Sequence, residues 1–125
     1  VEVVACENGQ GRYQQEVVVG EYRLPADEPV SVGAAEFVVA GLGACTSLTP
    51  RMYAERKGIP RSRISVRVRQ DKVNAGISRE RIVRRITLEG DLTSARRGRL
   101  LEIANKCPVH KALEQPLVMD SAPVD

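Results

Sequence analysis

Aromatic side chains are scarce in this sequence of 125 residues, which has one Phe, three Tyr and no Trp. The core must therefore be built from aliphatic residues, and stacking of nucleic-acid bases on aromatic platforms is not expected. Long apolar runs are also lacking, since the longest, Phe37–Leu42, is far below the roughly 20 residues that span a membrane. The opening stretch carries Glu2 and Glu7 instead of the basic and then apolar pattern of a signal sequence. These absences predict a soluble, cytoplasmic domain with no membrane partner.

Cysteine and histidine are also few. There are three cysteines, Cys6, Cys45 and Cys107, and one histidine, His110. Three cysteines cannot form a disulfide scaffold. In a reducing compartment, an odd number of cysteines favours a reactive role for the thiols over cross-linking of the chain. Because no C-x-x-C pair is present, a zinc site has few ligands available, and we expect no bound metal. His110 could join Cys107 at a metal, but a solvated or capping imidazole is the favoured interpretation.

Charge is nearly balanced, with 19 Lys and Arg against 16 Asp and Glu and a net charge of +3. The arginines are dispersed among carboxylates, as in Arg79-Glu80-Arg81, which is typical of a solvated surface. Four of them could form one basic sheet face: Arg67, Arg69, Arg84 and Arg85. A nucleic-acid-binding module is therefore a rival class. The lack of stacking aromatics and of a helix-turn-helix signature argues against it.

The first part of the chain predicts three strands followed by a long helix. Turn signals at Asn8-Gly9 and Gly20 separate the strands Val1–Cys6, Tyr13–Val19 and Glu21–Leu24, and Pro25 ends the section. Residues Ala34–Lys57 then run without turn signals to Gly58, a natural helix stop. Because Ala34–Leu48 is apolar on nearly every side, we expect this helix to be buried in the middle of the fold.

After Pro60 the sequence pattern predicts strands again, and a second helical region follows them. Ile64, Val66 and Val68 alternate with polar residues, and a strand over Ile82–Leu92 loses its alternation at Arg84-Arg85, which predicts a bulge. A helix capped by Thr93 or Ser94 then runs to Cys107, a helical turn follows over Pro108–Leu113, and Gln115–Met119 is the expected final strand. The order predicts one α+β domain over residues 1–125, with a mainly antiparallel sheet.

Two of the cysteines have unusual surroundings. Cys45 follows Gly41 and Gly43 inside the long helix, where each Gly costs about 1 kcal/mol relative to Ala, so a backbone or a substrate should approach closely. Cys107 precedes Pro108 and should cap the next helix, with its sulfur facing free N–H groups that stabilise a thiolate. The pair suggests redox chemistry, while two unrelated core thiols are the alternative.

Four segments carry a resemblance to a known family. Gly43-Ala44-Cys45-Thr46-Ser47, continuing through Arg51–Gly58, and Lys106-Cys107-Pro108-Val109-His110 resemble the OsmC/Ohr family of thiol-dependent hydroperoxide reductases. Ala26-Asp27-Glu28-Pro29 and Leu88-Glu89-Gly90-Asp91-Leu92 resemble its OsmC-like branch. The resemblance implies an α+β fold that intertwines into a homodimer, with the long cysteine helices at its centre.

The resemblance also implies roles for single residues. Cys45 matches the peroxidatic thiol, and Cys107 matches the resolving thiol that condenses with its sulfenic acid. Glu36 matches a glutamate that orients an active-site arginine, for which Arg12 is the candidate and Arg23 the alternative. A helix-dipole role for Glu36 and a surface role for Arg12 are the competing interpretations. The implied substrate is an organic hydroperoxide, with an external dithiol reductant such as dihydrolipoamide, no bound cofactor and a role in oxidative-stress defence.

Two departures from the family pattern leave the peroxide preference open. The loop of residues 30–34 is shorter than the usual Gly/Pro-rich segment before the long helix, and the connection at Asn74–Ile77 is also short. A noncatalytic OsmC-like protein that holds a small apolar ligand is therefore an alternative function.

Overall fold

The computed structural model describes residues 2–9, 12–26, 33–59, 63–75 and 77–124. Its strands and helices, in chain order, are β1 (Val3–Glu7), β2 (Gln15–Val19), β3 (Tyr22–Ala26), α1 (Ala34–Arg56), β4 (Arg63–Ala75), β5 (Ile77–Glu89), α2 (Ser94–Ala104) and α3 (Pro108–Glu114). The first three strands form one antiparallel sheet in the order β1-β2-β3, and β4 pairs with β5 in a second. The predicted α+β class with antiparallel pairing is confirmed.

The chain divides into two units, Val1–Val39 and Ala40–Asp125, so the single domain over residues 1–125 stays a prediction. In the first unit, Gly9 and Gly20 have φ of 73° and 59°, which confirms both turn predictions. Strand β3 continues through Pro25, so its predicted end at Leu24 is wrong. Because β3 is an edge strand, the missing N–H of Pro25 breaks no ladder. Residues 27–32, with most of the Ala26–Pro29 motif and the short loop, lie outside the described residues.

Helix α1 buries one stripe of side chains within this chain. Its buried residues recur every four positions: Leu42, Thr46, Pro50 and Ala54. Other faces are exposed, and they include Val38, Leu48 and Met52. The prediction that α1 is buried on every side is therefore wrong for the single chain, because only one face of this helix is covered. Gly58 ends the helical run with φ of 63°, as predicted. In the described part of the chain, no helix is long and apolar enough to cross a membrane.

The β4–β5 hairpin pairs residue for residue, with Arg67 opposite Arg85 and Val68 opposite Arg84. The predicted bulge at Arg84-Arg85 is therefore wrong. The alternation is lost because Arg84 occupies a position on the face that carries Ile82 and Ile86. Directly opposite residues share a face of a sheet, so Arg67 and Arg85 lie on one face and Arg84 lies on the other. The predicted four-arginine face is thus also wrong, because Arg84 does not belong to it.

The two C-terminal helices begin at the predicted residues. The Thr93 hydroxyl caps α2 by accepting from the Arg96 N–H at 3.2 Å, and α2 buries Leu100, Ile103 and Ala104. No strand forms after α3, so the predicted strand Gln115–Met119 is wrong. Pro116 lacks the N–H that a ladder requires, and the apolar side chains that follow it are exposed: Leu117, Val118 and Met119.

The packing of α1 on β4 predicts different effects for two glycine substitutions. Ala in place of Gly stabilises an open helical position by about 0.5–1 kcal/mol. Among the residues that the structure describes, a Cβ at Gly41 would meet no atom within 4 Å, whereas a Cβ at Gly43 would meet Val68 Cγ2 at 3.2 Å. We expect Gly41→Ala to increase the free energy of unfolding by this amount and Gly43→Ala to gain less or to lose stability, as measured by urea denaturation.

A double variant separates crowding from other causes. Val68→Ala should lower the free energy of unfolding by less in the Gly43→Ala background than in the wild type, because it removes the atom that crowds the new Cβ. Equal stabilisation by both glycine substitutions would contradict the close packing.

Candidate thiol site

Cys45 lies on the flank of the buried stripe of α1. It is half-buried, while the neighbouring Thr46 is fully buried. A close approach is found at Gly43, where the Val68 side chain makes it instead of the predicted backbone or substrate, and at Gly41 no described atom approaches. This placement gives a sulfur that is partly removed from water and still reachable from outside.

Cys107 is fully buried and is the N-cap residue of α3, with Pro108 in the first turn, as predicted. Its sulfur makes no capping hydrogen bond, so the predicted contact between the Cys107 sulfur and the free N–H groups of α3 is wrong. The Cys107 thiol instead acts on Cys45, because a hydrogen bond from it lowers the pKa of the Cys45 thiol. The structure thus brings together two cysteines that are 62 positions apart (107 − 45), and both are free thiols.

Several groups act on the pKa of Cys45. Burial raises this pKa, and it is the largest single influence. Hydrogen bonds from the Cys107 thiol, the Val109 backbone N–H and the Thr49 hydroxyl together outweigh it, so the pKa lies below its ordinary value. Val109 is the second residue of α3, and its N–H is one of those left free at a helix start. The N-terminus of α3 therefore stabilises the thiolate of Cys45.

The Thr49 hydroxyl is shared between two acceptors of the same residue. It donates to the Cys45 carbonyl at 2.8 Å and lies 3.8 Å from the Cys45 sulfur. A hydroxyl has one proton, so it can serve one acceptor at a time. A thiolate at Cys45 has no proton, so in that state it can only accept in its contact with the Thr49 hydroxyl.

Arg84 forms hydrogen bonds with two residues that are close in sequence to the two thiols. Its Nη1 donates to the Thr46 hydroxyl at 3.0 Å, and its Nη2 donates to the Asn105 side-chain oxygen at 2.9 Å. Thr46 follows Cys45 in α1, and Asn105 is the C-cap of α2, two residues before Cys107.

The other predicted site residues lie in the first unit. Glu36 accepts from the Gly33 N–H at 2.9 Å, the contact of a first-turn carboxylate that caps its helix. Arg12 is exposed and lies over the Tyr13 ring, 5.3 Å from its centroid. Arg23 forms an exposed ion pair with Glu16 on the neighbouring strand. These contacts favour local roles for Glu36, Arg12 and Arg23, and their predicted catalytic roles stay predictions.

His110 has a partner in its own helix. Its Nε2 lies 2.9 Å from a carboxylate oxygen of Glu114. Both residues line a cavity of about 280 Å³ whose other lining residues are Leu42, Ile82, Arg84 and Leu113. Among the described residues, no three His, Cys, Asp or Glu side chains are grouped to hold a metal ion.

Sequence reasoning missed the groups that surround Cys45. Thr49 lies four residues after Cys45, one helical turn away, so the spacing could have indicated its contact. In an unbroken strand, Arg84 lies on the same face as Ile82 and Ile86, because alternate residues share a face, so its inward position could have been predicted. The Val109 N–H gives no side-chain signal, and only the tertiary structure shows that it serves Cys45.

Comparisons with known proteins agree with this fold. The family model described as OsmC-like protein matches residues 30–121, and the chain therefore belongs to the OsmC-like family. A search of curated proteins found no significant match.

Solved structures with the same fold share little sequence with this chain. The OsmC-like protein of Mycoplasma pneumoniae superposes with a TM-score of 0.76 at 17% identity, over 90% of this chain and 86% of that one. The organic hydroperoxide resistance protein OsmC of Legionella pneumophila gives 0.63 at 18% identity, over 90% and 89%. The organic hydroperoxide resistance protein OhrB of Bacillus subtilis gives 0.60 at 20% identity, over 89% and 87%.

The hydrogen bonds to Cys45 predict how its reactivity depends on pH. In a Cys6→Ser background, alkylation by iodoacetamide should follow the thiolate of Cys45, which forms at lower pH than in an ordinary thiol because its pKa is lowered. Cys107→Ala removes a donor to that thiolate, so the pKa rises and the alkylation curve moves to higher pH. Thr49→Val should move it in the same direction by less. An unchanged curve in Cys107→Ala would show that the Cys107 hydrogen bond does not stabilise the thiolate.

Proposed function

We propose that this protein is a cytoplasmic thiol peroxidase that reduces organic hydroperoxides, with Cys45 as the peroxidatic and Cys107 as the resolving cysteine. One feature carries the proposal: the pKa of the half-buried Cys45 is lowered, and among the influences that lower it a hydrogen bond from the fully buried Cys107 is the largest. A purely structural cysteine has no need of three hydrogen-bond donors.

The residues fit a two-step reaction. The Cys45 thiolate attacks the terminal oxygen of the hydroperoxide, the O–O bond breaks, and Cys45 becomes a sulfenic acid while the departing alkoxide takes a proton from water and leaves as an alcohol. The Cys107 thiol then condenses with the sulfenic acid, giving a disulfide and water. An external dithiol such as dihydrolipoamide returns the disulfide to two thiols by exchange. No bound cofactor is needed, because the peroxide and the dithiol supply both halves of the reaction.

The comparisons support the substrate class. The structures from Legionella pneumophila and Bacillus subtilis are titled organic hydroperoxide resistance proteins. The cavity beside Arg84 has apolar lining of the kind that suits an organic molecule, from Leu42, Ile82 and Leu113, although neither cysteine lines it.

A homodimer is the second part of the proposal. Only one face of helix α1 is buried within the chain. Large apolar side chains on its other faces are exposed, with Leu48 and Met52 each 57% exposed. Val118 and Met119 in the C-terminal segment are 91% and 81% exposed. Apolar surface of this kind marks an interaction site, and a second copy is the partner that the family resemblance implies.

Three cysteine variants test the reaction. Cys45→Ser should abolish hydroperoxide reduction, because a serine hydroxyl cannot replace a thiolate as nucleophile. Cys107→Ser should consume about one equivalent of peroxide and stop with Cys45 as sulfenic acid or further oxidised. Cys6→Ser is the matched control and should turn over like the wild type, because Cys6 is an exposed thiol on β1, outside the helices that carry the other two cysteines.

Peroxide consumption and mass spectrometry of the protein are the measurements. The wild type treated with one equivalent of cumene hydroperoxide should show a Cys45–Cys107 linkage. Undiminished turnover in Cys45→Ser would contradict the peroxidase function and leave the binding of a small apolar ligand as the better interpretation.

Light scattering tests the dimer. The wild type should be a dimer at micromolar concentration, and Leu48→Glu should dissociate or unfold it by placing a charge in an apolar interface. Arg96→Glu, on the exposed side of α2, is the control and should leave the mass unchanged. A folded wild-type monomer at this concentration would contradict the proposal.

A further inference from the structure

Arg84 occupies a position where the pattern of the sheet calls for an apolar residue. It lies opposite Val68, on the face of the β4–β5 hairpin that also carries the half-buried Ile82 and Ile86. Its neighbour Arg85 lies on the other face and is exposed. A guanidinium on the packed face of a sheet costs desolvation free energy unless its N–H groups find acceptors.

Two acceptors hold the guanidinium. Nη1 donates to Thr46 Oγ1 at 3.0 Å, and Nη2 donates to Asn105 Oδ1 at 2.9 Å. The Thr46 hydroxyl donates its own proton to the Leu42 carbonyl at 2.7 Å, so toward Arg84 it is only an acceptor. Thr46 is fully buried and Arg84 is half-buried, so this hydrogen bond is partly shielded from competing water.

Each acceptor is close in sequence to one of the two thiols. Thr46 directly follows Cys45 on α1, and Asn105 ends α2 two residues before Cys107. One planar group therefore links the two segments that carry the reacting sulfurs. We propose that Arg84 is a positioning residue that holds Cys45 and Cys107 at the separation and angle that disulfide formation requires. Its place in a catalytic cycle rests on the proposed function.

Disulfide formation is the step most sensitive to this arrangement. The Cys107 sulfur attacks the sulfenic sulfur of Cys45, the S–S bond forms, the S–O bond breaks, and hydroxide leaves with the Cys107 proton as water. The thiol is oxidised and the sulfenic acid is reduced, so the step needs no other oxidant. Attack on sulfur requires alignment, and a displacement near 1 Å can slow such a step by about 100-fold.

Positioning has a different signature from electrostatic activation. Arg84 contacts oxygens, whereas burial and hydrogen bonds from Cys107, Val109 and Thr49 set the pKa of Cys45. Loss of Arg84 should therefore leave the first step nearly unchanged and slow the second. Arg84→Lys should recover part of the second step, because an ammonium can replace one arm of the planar fork but not its geometry.

The experiment follows both steps in a Cys6→Ser background. Protein is mixed with one equivalent of cumene hydroperoxide and quenched at intervals, and mass spectrometry counts dimedone-trapped sulfenic acid and disulfide. We expect Arg84→Gln to form sulfenic acid within about twofold of the wild-type rate and to condense at least about tenfold more slowly. Arg85→Gln removes the same charge from the opposite face and should behave as wild type. Condensation at the wild-type rate in folded Arg84→Gln would overturn the inference.

A second measurement needs no peroxide. Equilibration with reduced and oxidised dithiothreitol measures how readily the Cys45–Cys107 disulfide forms, and Arg84→Gln should shift this equilibrium toward the dithiol by at least about tenfold. If the wild type fails to reduce peroxide but the shift occurs, the proposed function fails and the positioning role stands. If the wild type reduces peroxide and no shift occurs, only the positioning role fails.

Asn105→Ala provides the test if Arg84→Gln does not fold. It removes only the acceptor of Nη2, at an exposed helix end, and leaves the buried contact with Thr46 in place. The same selective slowing of condensation is expected, to a smaller extent. Wild-type condensation in Asn105→Ala would then overturn the inference.

Discussion

The burial of one stripe of α1 is the constraint on which the unit of residues 40–125 depends. Leu42, Thr46, Pro50 and Ala54 recur every four residues, and this spacing aligns them along one side of a helix. Cross-contacts fix the helix on the β4–β5 hairpin. The Gly43 backbone lies close to Val68, and the Ser47 hydroxyl donates to the Ile64 carbonyl at 3.1 Å. Once this stripe is buried, the position of every other side chain on α1 is set by helical geometry.

That geometry explains the character of Cys45. A residue next to a fully buried Thr46 is turned about 100° around the helix, which leaves its sulfur half-covered. Burial alone would raise the pKa of Cys45 and make the thiol unreactive. Three donors reverse this effect, and they come from the same helix (Thr49), from the N-cap of α3 (Cys107) and from the backbone of α3 (Val109). Reactivity therefore depends on where α3 begins as much as on Cys45 itself.

Polar groups beside the thiols form a connected set, in which Thr46 is fully buried, Arg84 half-buried and Asn105 exposed. Thr46 donates to the Leu42 carbonyl and accepts from Arg84, and Arg84 also donates to Asn105. A buried hydroxyl or guanidinium without partners would destabilise the fold, whereas a satisfied set specifies one arrangement of its elements. Through this set, β5 connects the helix of Cys45 with the end of the helix that precedes Cys107.

Local backbone chemistry and the order of the elements made four features predictable from the sequence: the α+β class, the turns at Gly9 and Gly20, the helix stop at Gly58 and the cap at Thr93. The sequence also singled out Cys45 and Cys107 through the glycines and the proline beside them. Tertiary contacts were needed to show that Arg84 lies on the packed face of an unbroken hairpin and that the Val109 N–H serves Cys45. Each of these depends on partners distant in sequence, which local patterns of hydrophobicity and propensity do not encode.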